Sequence, residues 1–374
     1  MIAKNLKIIL TIFFIFFPLE AKSKNIYSKD FNSKELSNYF SGTISHNNQK
    51  NEQALKYFKS SKQLLNKHDE YFRRLIFSLV LNQNVDRAIQ EIKFLKNKKQ
   101  SEFFEAQLIL LIDSINKKNF DKTKIYLNSI AKYTEEGTFE KVIYETLRDY
   151  VYTFKEKKMS NFKSNFGNLI AINNAFQSCY LNNPNTLDYF DKLKSSEAAD
   201  YSRYLFFYVN YLIHKKRFDL VKEISFEIDE LSNNLIILQT KSWIDKSNFS
   251  EIKEIFSCNN ENDILAEFFY LVSNLYSSQD EYEQSNFYLN ISYFLNKKFK
   301  INLSLMADNY FLNENYDQSL KVLQLFNSKD DLYYWFKIKQ EAKIITEKEN
   351  KDEALKYIEK NFEKINNPST KTLF

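Results

Sequence analysis

The sequence predicts an all-α protein, a right-handed α-solenoid of about eight to nine helix–turn–helix repeats. The first observation behind this prediction is composition. The chain has 374 residues, of which 44% are hydrophobic, but it has only three glycines and three prolines. Strand-rich folds need many tight turns, and phosphate-binding loops need clustered glycines, so both classes are disfavoured. The second observation is a motif that returns at a regular interval.

The motif is clearest in two segments, DEYEQSNFYLNIS from Asp280 and ENYDQSLKVLQLF from Glu314. In each, a tyrosine follows a polar residue and a serine follows three places later; Tyr282 and Tyr316 are 34 residues apart (316 − 282). The frame recurs with steps of 34, 35, 42, 56, 31, 33, 34 and 35 residues at Ala54, Ala88, Thr123, Asn165, Val221, Ile252, Ser285, Ser319 and Ala354. Apolar residues beside the turns recur at three- and four-residue steps, which indicates amphipathic helices.

A helix–turn–helix unit of this length resembles the tetratricopeptide repeat (TPR), and the resemblance covers about residues 33–374. In that family, small residues such as Gly42 and Ala307 let the two helices of a unit approach closely, and aromatic residues such as Phe58 fill the wedge to the next unit. The resemblance implies that each unit contacts only its neighbours, so damage to one unit should be graded along the array. Bulkier residues depart from the small-residue pattern at Ile76, Leu111 and Val209.

The period divides the chain into four regions. We expect a signal peptide at 1–21, TPR-like repeats at 33–132, an irregular helical middle at 133–199 and further TPR-like repeats at 200–374. The steps of 42 and 56 residues place the extra length in the middle region. There we expect a turn at Asn182 to Asn185, followed by an extra short helix.

Residues 1–21 have the layout of a secretory signal peptide. Lys4 and Lys7 precede an apolar core from Ile8 to Phe17, and Ala21 offers a cleavage point. The apolar run of about 12 residues is shorter than the roughly 20 that a helix needs to cross a bilayer. We therefore predict export to a bacterial periplasm and no stable membrane span after cleavage, with an uncleaved anchor as the alternative.

The two cysteines, Cys179 and Cys258, are 79 residues apart (258 − 179). Export permits a disulfide, but the Cα atoms would have to come within about 7 Å. More than two repeats separate the two residues. The sequence therefore favours two separate, mostly buried thiols, and a disulfide is the alternative.

The sequence contains no arrangement typical of an enzyme. The 53 basic and 48 acidic residues are interspersed, so the sustained basic stripe of a nucleic-acid-binding protein is missing. His46, His68 and His214 are scattered and form no metal motif. Glu223 and Glu227 have the spacing of exposed helical charges. We predict a protein that is not an enzyme and that has no cofactor and no bound metal.

The TPR resemblance implies a function in protein binding. In such arrays the first helices line a concave groove that takes extended peptides or partner helices, so the sequence predicts a non-catalytic periplasmic scaffold for cell-envelope proteins. A helical accessory module of a cell-wall or secretion enzyme complex is the alternative. The candidate groove residues, which could equally form an ordinary solvated face, are Tyr39, Arg73, Asn210, Tyr270, Asn274, Asp308, Lys339 and Lys343.

The sequence stops within a unit. After the helix KDEALKYIEKNFEKI comes STKTLF, in which Ser369 resembles the N-cap of a further first helix. An uncapped array leaves an apolar face in water. We expect either that the array continues or that this edge pairs with another protein or a second copy. The alternative is that STKTLF folds back over the edge.

Overall fold

Helices account for 78% of the described structure. It is a computed structural model that describes residues 32–66, 68–95, 99–161, 168–194, 203–229, 234–327 and 331–363. Within those ranges there are nineteen α-helices and no strand. The all-α prediction is therefore confirmed. The predicted signal peptide, the frame position at Asn165 and the segment STKTLF lie outside the described residues.

The helices follow one another with short connections. In chain order they are α1 (Ser33–Asn47), α2 (Asn51–Lys59), α3 (Asp69–Leu81), α4 (Val85–Phe94), α5 (Phe104–Asn116), α6 (Phe120–Ile130), α7 (Phe139–Glu156), α8 (Asn168–Tyr180), α9 (Thr186–Lys194), α10 (Tyr204–His214), α11 (Phe218–Glu227), α12 (Leu235–Asp245), α13 (Phe249–Ile255), α14 (Glu261–Ser277), α15 (Tyr282–Leu295), α16 (Ile301–Leu312), α17 (Tyr316–Leu323), α18 (Asp331–Lys348) and α19 (Lys351–Phe362). Short 3₁₀ helices lie at Lys62–Asn66, Lys99–Ser101 and Ala131–Tyr133.

Eighteen of these helices pack in pairs as hairpins, and α7 stands alone between α6 and α8. The pairs are α1–α2, α3–α4, α5–α6, α8–α9, α10–α11, α12–α13, α14–α15, α16–α17 and α18–α19. The expected turn at Asn182 to Asn185 is present, and the extra short helix follows it as α9, which begins at Thr186.

One turn closes eight of the nine hairpins. In the α5–α6 turn, Lys118 has a φ of 52° and the next residue, Asn119, donates its N–H to the Ser114 carbonyl oxygen at 2.9 Å. This is a Schellman motif, which satisfies the last carbonyl groups of a helix. The same left-handed conformation and backbone bond recur at Gln49, Gln83, Asn182, Lys216, Ser247, Asp280 and Glu314. Because polar residues adopt this conformation here, the hairpins form without the glycine that usually occupies it.

The repeated frame lies at the centre of every hairpin except α8–α9, because Asn165 precedes α8 in the sequence. Every described frame residue is buried, and two frame serines also make equivalent hydrogen bonds to the preceding helix. Ser285 Oγ donates to the Ser273 carbonyl oxygen at 2.8 Å, and Ser319 Oγ donates to the Ala307 carbonyl oxygen at 2.9 Å. A small side chain at this place thus lets the two helices approach and also holds them together.

Hairpins that are distant in sequence also pack on one another. Helices α3 and α4 contact α15, and α5 contacts α14. Asn51 Nδ2 donates to Tyr310 Oη at 3.0 Å inside the protein, and the rings of Phe77 and Phe287 stack with their centroids 4.5 Å apart. The expectation that each unit contacts only its neighbours is therefore wrong, because the first hairpins are joined to α14–α17.

The two cysteines form a disulfide, so the expectation of separate thiols is wrong. Cys179 at the end of α8 and Cys258 after α13 have Cα atoms 5.6 Å apart. The two residues are close despite their separation in sequence because the end of α8 packs against the start of α14. There, Tyr180 Oη donates to Glu261 Oε1 at 2.8 Å. The disulfide therefore fastens the middle of the chain to the start of α14.

Replacing both cysteines with alanine should lower the free energy of unfolding by about 2–4 kcal/mol, because the disulfide closes a long loop in the unfolded chain. Urea unfolding of oxidised wild type and of the Cys179→Ala/Cys258→Ala variant measures the difference. Reductant should destabilise the wild type and leave the variant unchanged. Equal unfolding midpoints for the two oxidised proteins would contradict the prediction.

No helix in the described ranges has both the length and the apolar character needed to cross a membrane.

Candidate functional site

Three of the eight predicted groove residues are buried. Asn210 is fully buried, and its Nδ2 donates to the carbonyl oxygens of Ile252 and Phe256, each at 2.8 Å. Tyr39 and Tyr270 are also buried. The prediction that these three side chains face outward is wrong, because they pack helices against one another.

The other five predicted groove residues lie on four different helices. Asn274 donates to the carbonyl oxygen of Tyr270, one turn earlier on α14, at 2.9 Å. Asp308 on α16 accepts a hydrogen bond from Gln340 on α18. On α18, Lys339 is partly buried and Lys343 is exposed. Arg73 lies elsewhere, on α3, where it lines the cavity described below.

A buried ion pair fixes α14 to the residue that precedes α10. The guanidinium group of Arg203 donates twice to Glu267, from Nε to Oε1 at 2.9 Å and from Nη2 to Oε2 at 2.6 Å. Its central carbon lies 4.0 Å from the ring centroid of Tyr270 and 5.1 Å from that of Phe299. Burial alone would lower the pKa of Arg203, but the Glu267 carboxylate raises it, so the guanidinium group stays charged. This pair is enclosed by protein and serves as a structural fastening.

Burial also raises the pKa of Asp308, so the stability of the protein should depend on pH. Burial raises the pKa of Asp308 to about 6, although the charge of Lys343 and the Gln340 hydrogen bond oppose the rise. A raised pKa means that the folded protein holds the proton more tightly than the unfolded chain. The stability from this group is therefore present below the unfolded pKa of 3.8 and is lost as the pH rises through about 6.

Asparagine mimics the protonated form of Asp308. The free energy of unfolding of Asp308→Asn, relative to that of the wild type, should therefore rise by about 2–3 kcal/mol as the pH increases from 4 to 7. Chemical unfolding across that range measures the change. Asp317→Asn is the matched control, because the Lys348 ammonium 2.6 Å away lowers the pKa of Asp317 and keeps it charged throughout. A pH-independent difference for Asp308→Asn would contradict the prediction.

A cavity of about 320 Å³ lies where α3, α5 and the start of α7 meet the α14–α15 hairpin. We call it the seam cavity, since it sits at the junction of hairpins distant in sequence. Its lining residues are Arg73, Phe77, Glu105, Phe139, Glu140, Tyr276, Gln279, Glu281, Gln284, Phe287 and Tyr288. Four segments that are separate in sequence thus line one cavity.

Aromatic rings form much of the wall of the seam cavity. Phe139 and Tyr276 meet edge to face with centroids 4.8 Å apart, and Tyr276 stacks on Tyr288 at 5.4 Å. Phe77 stacks on Phe287, and the central carbon of the Arg73 guanidinium group lies 5.9 Å from the Phe77 ring centroid. Such contacts hold the rings in fixed orientations, so the wall is preformed.

Acidic side chains dominate the charge of the seam cavity. Glu105 is only 7% exposed; its Oε1 accepts from Arg73 Nη2 at 2.8 Å, and its Oε2 has no hydrogen-bond partner among the described residues. Glu140 and Glu281 add two further carboxylates. Burial raises the pKa of Tyr276, and the neighbouring glutamates raise it further, as expected in a negative potential.

This combination suits the binding of a cation by charge, with the rings covering its apolar part. Within the described ranges, no group of three histidine, cysteine or acidic residues is arranged to hold a metal ion. A second cavity, of about 280 Å³, lies beside Trp243. Its lining contains both lysines and glutamates, and Lys298 pairs with Glu254 at 3.1 Å. This cavity therefore favours neither a cationic nor an anionic ligand.

Sequence reasoning found one residue of the seam cavity, Arg73, and missed the rest. Tyr276, Glu105 and Glu140 gave no signal in a chain with 25 tyrosines and many helical glutamates. No protein-family model matches the chain, and no curated protein matches it significantly. The TPR resemblance therefore depends on the repeat and the hairpins alone.

Proposed function

We propose that this protein is an exported, non-catalytic TPR-like α-solenoid that binds a protein partner of the cell envelope through its first-helix face. The observation that carries the proposal is the seam cavity. It is lined in part by α3, α5 and α14, which are first helices of their hairpins, and its preformed aromatic wall is typical of surfaces that anchor partner side chains. The binding surface is thus narrower than a groove along all first helices.

Two further observations support parts of this proposal. The buried Cys179–Cys258 disulfide suits an oxidising compartment, in agreement with the signal-like residues 1–21. The charged groups of the seam cavity are carboxylates and one guanidinium group, without a thiol or serine beside a base, so the cavity favours binding over nucleophilic catalysis.

Site-specific photo-crosslinking in the periplasm tests the proposal. Gln279 is exposed at the seam cavity, and a photoreactive residue there should give a discrete crosslinked species. Phe226 on α11, which is 88% exposed, provides the control position. The same species from both positions, or none from Gln279, would reject the cavity as the binding surface. Recovery of an intact Met1 in the cytoplasmic fraction would reject export.

A further inference from the structure

The seam cavity carries more negative than positive charge. Glu105, Glu140 and Glu281 stand against the single guanidinium group of Arg73. Arg73 already donates to Glu105, so it is engaged within the wall. Three carboxylates and one guanidinium group give the described lining a net negative charge, so an anionic ligand would be repelled and a cation attracted.

A second observation points to a donor that the described residues do not supply. The Oε2 atom of Glu105 is buried and has no hydrogen-bond partner among those residues. An unsatisfied buried carboxylate oxygen is costly, and the cost is removed when a donor reaches it. An ammonium or guanidinium group is a charge-assisted donor of the required kind.

The aromatic wall and the size of the cavity narrow the ligand further. The aromatic rings that line the cavity, such as Phe139 and Tyr276, offer apolar surface that can cover the hydrocarbon chain of an organic cation. A volume of about 320 Å³ is at the lower end for small-ligand sites, which suits one long side chain.

We infer that the seam cavity binds the cationic side chain of a lysine or arginine presented by a partner peptide. This inference rests on the proposed function and gives the chemistry of the partner. Glu140 and Glu281 attract the charge at the entrance, the rings cover the aliphatic stem, and Glu105 accepts a hydrogen bond at the end.

Saturation-transfer NMR on the full chain tests this inference with three small probes. These are the N-acetyl methylamides of lysine, of arginine and of norleucine, which has nearly the shape of lysine without its charge. We expect the lysine or the arginine probe to bind about tenfold or more tightly than the norleucine probe, and binding should weaken as salt rises. Equal binding of the norleucine probe would overturn the inference.

Two double variants test whether the cationic probe binds in the seam cavity. Glu140→Gln/Glu281→Gln, which changes one partly buried and one exposed side chain, should weaken binding of the cationic probe about tenfold. The matched control, Glu251→Gln/Glu254→Gln at the Trp243 cavity, should leave it unchanged. Wild-type affinity in the first variant would overturn the inference. Binding of spermidine without either amino-acid probe would also overturn it, because the source of the cation would then be a free polyamine.

The inference and the proposed function fail in different ways. A discrete crosslink at Gln279 together with no preference for the cationic probes would retain partner binding and reject the cation. Binding of the cationic probes without any crosslink at Gln279 would support the chemistry of the cavity and reject partner binding in the periplasm.

Discussion

Replacement of Arg203 with methionine should lower the free energy of unfolding by about 3–5 kcal/mol at pH 7, because the fully buried Glu267 loses its partner. Burial raises the pKa of Glu267, and the Arg203 charge opposes this rise. In the variant that opposition is gone, so Glu267 should take up a proton more readily. The loss should therefore diminish as the pH falls, and urea unfolding at pH 7 and pH 5 measures both effects.

The double variant Arg203→Met/Glu267→Leu separates an unpaired charge from lost packing. It removes both charges and keeps apolar volume, so it should recover most of the stability that the single change removes. Lys348→Met removes an exposed pair, in which Lys348 Nζ lies 2.6 Å from Asp317 Oδ1, and should cost less than about 1 kcal/mol. A double variant as unstable as the single one would show that Arg203 acts through packing alone.

The hairpins could be predicted because their causes are local. The frame at Ser285 and Ser319 places a small residue where two helices cross, and both residues are buried. The polar turn residues also followed from sequence, since a helix end needs only one residue in the left-handed conformation. The aromatics after the turns were less well predicted. Phe218, the aromatic residue after the α10–α11 turn, is 38% exposed and packs at the hairpin edge against Phe249.

The contacts between distant hairpins could not be predicted from the repeat. A repeat specifies how a unit meets its neighbours, and nothing in its pattern marks Asn51 as a partner of Tyr310. The seam cavity depends on such contacts, and so does the disulfide. A lone Arg203 likewise gives no sign of a carboxylate 64 residues away (267 − 203). The local pattern therefore predicts the units, and the site arises from packing that the pattern does not encode.

Phe58→Ala should lower the free energy of unfolding by about 3–5 kcal/mol, because a fully buried ring would leave a cavity. The ring packs against the backbone of α1: a Cβ atom added at Gly42 would lie 2.8 Å from Phe58 Cε1. It also meets Tyr39 on α1 and Tyr71 on α3, with centroids 5.9 and 6.4 Å away. Neighbouring helices can close only part of such a cavity, so contacts among α1, α2 and α3 should weaken together.

Hydrogen exchange in the Phe58→Ala variant should reveal how far the damage spreads. In an array joined only through neighbours, faster exchange would be greatest in α1–α3 and would fade along the chain. Here Asn51 is bonded to Tyr310 and Phe77 is stacked on Phe287, so α15 and α16 should also exchange faster while the intervening α10–α12 change less. Phe226→Ala, at an exposed position on α11, should leave the pattern unchanged. Unaltered protection of α15 and α16 in the Phe58→Ala variant would show that the contacts between distant hairpins add little to stability.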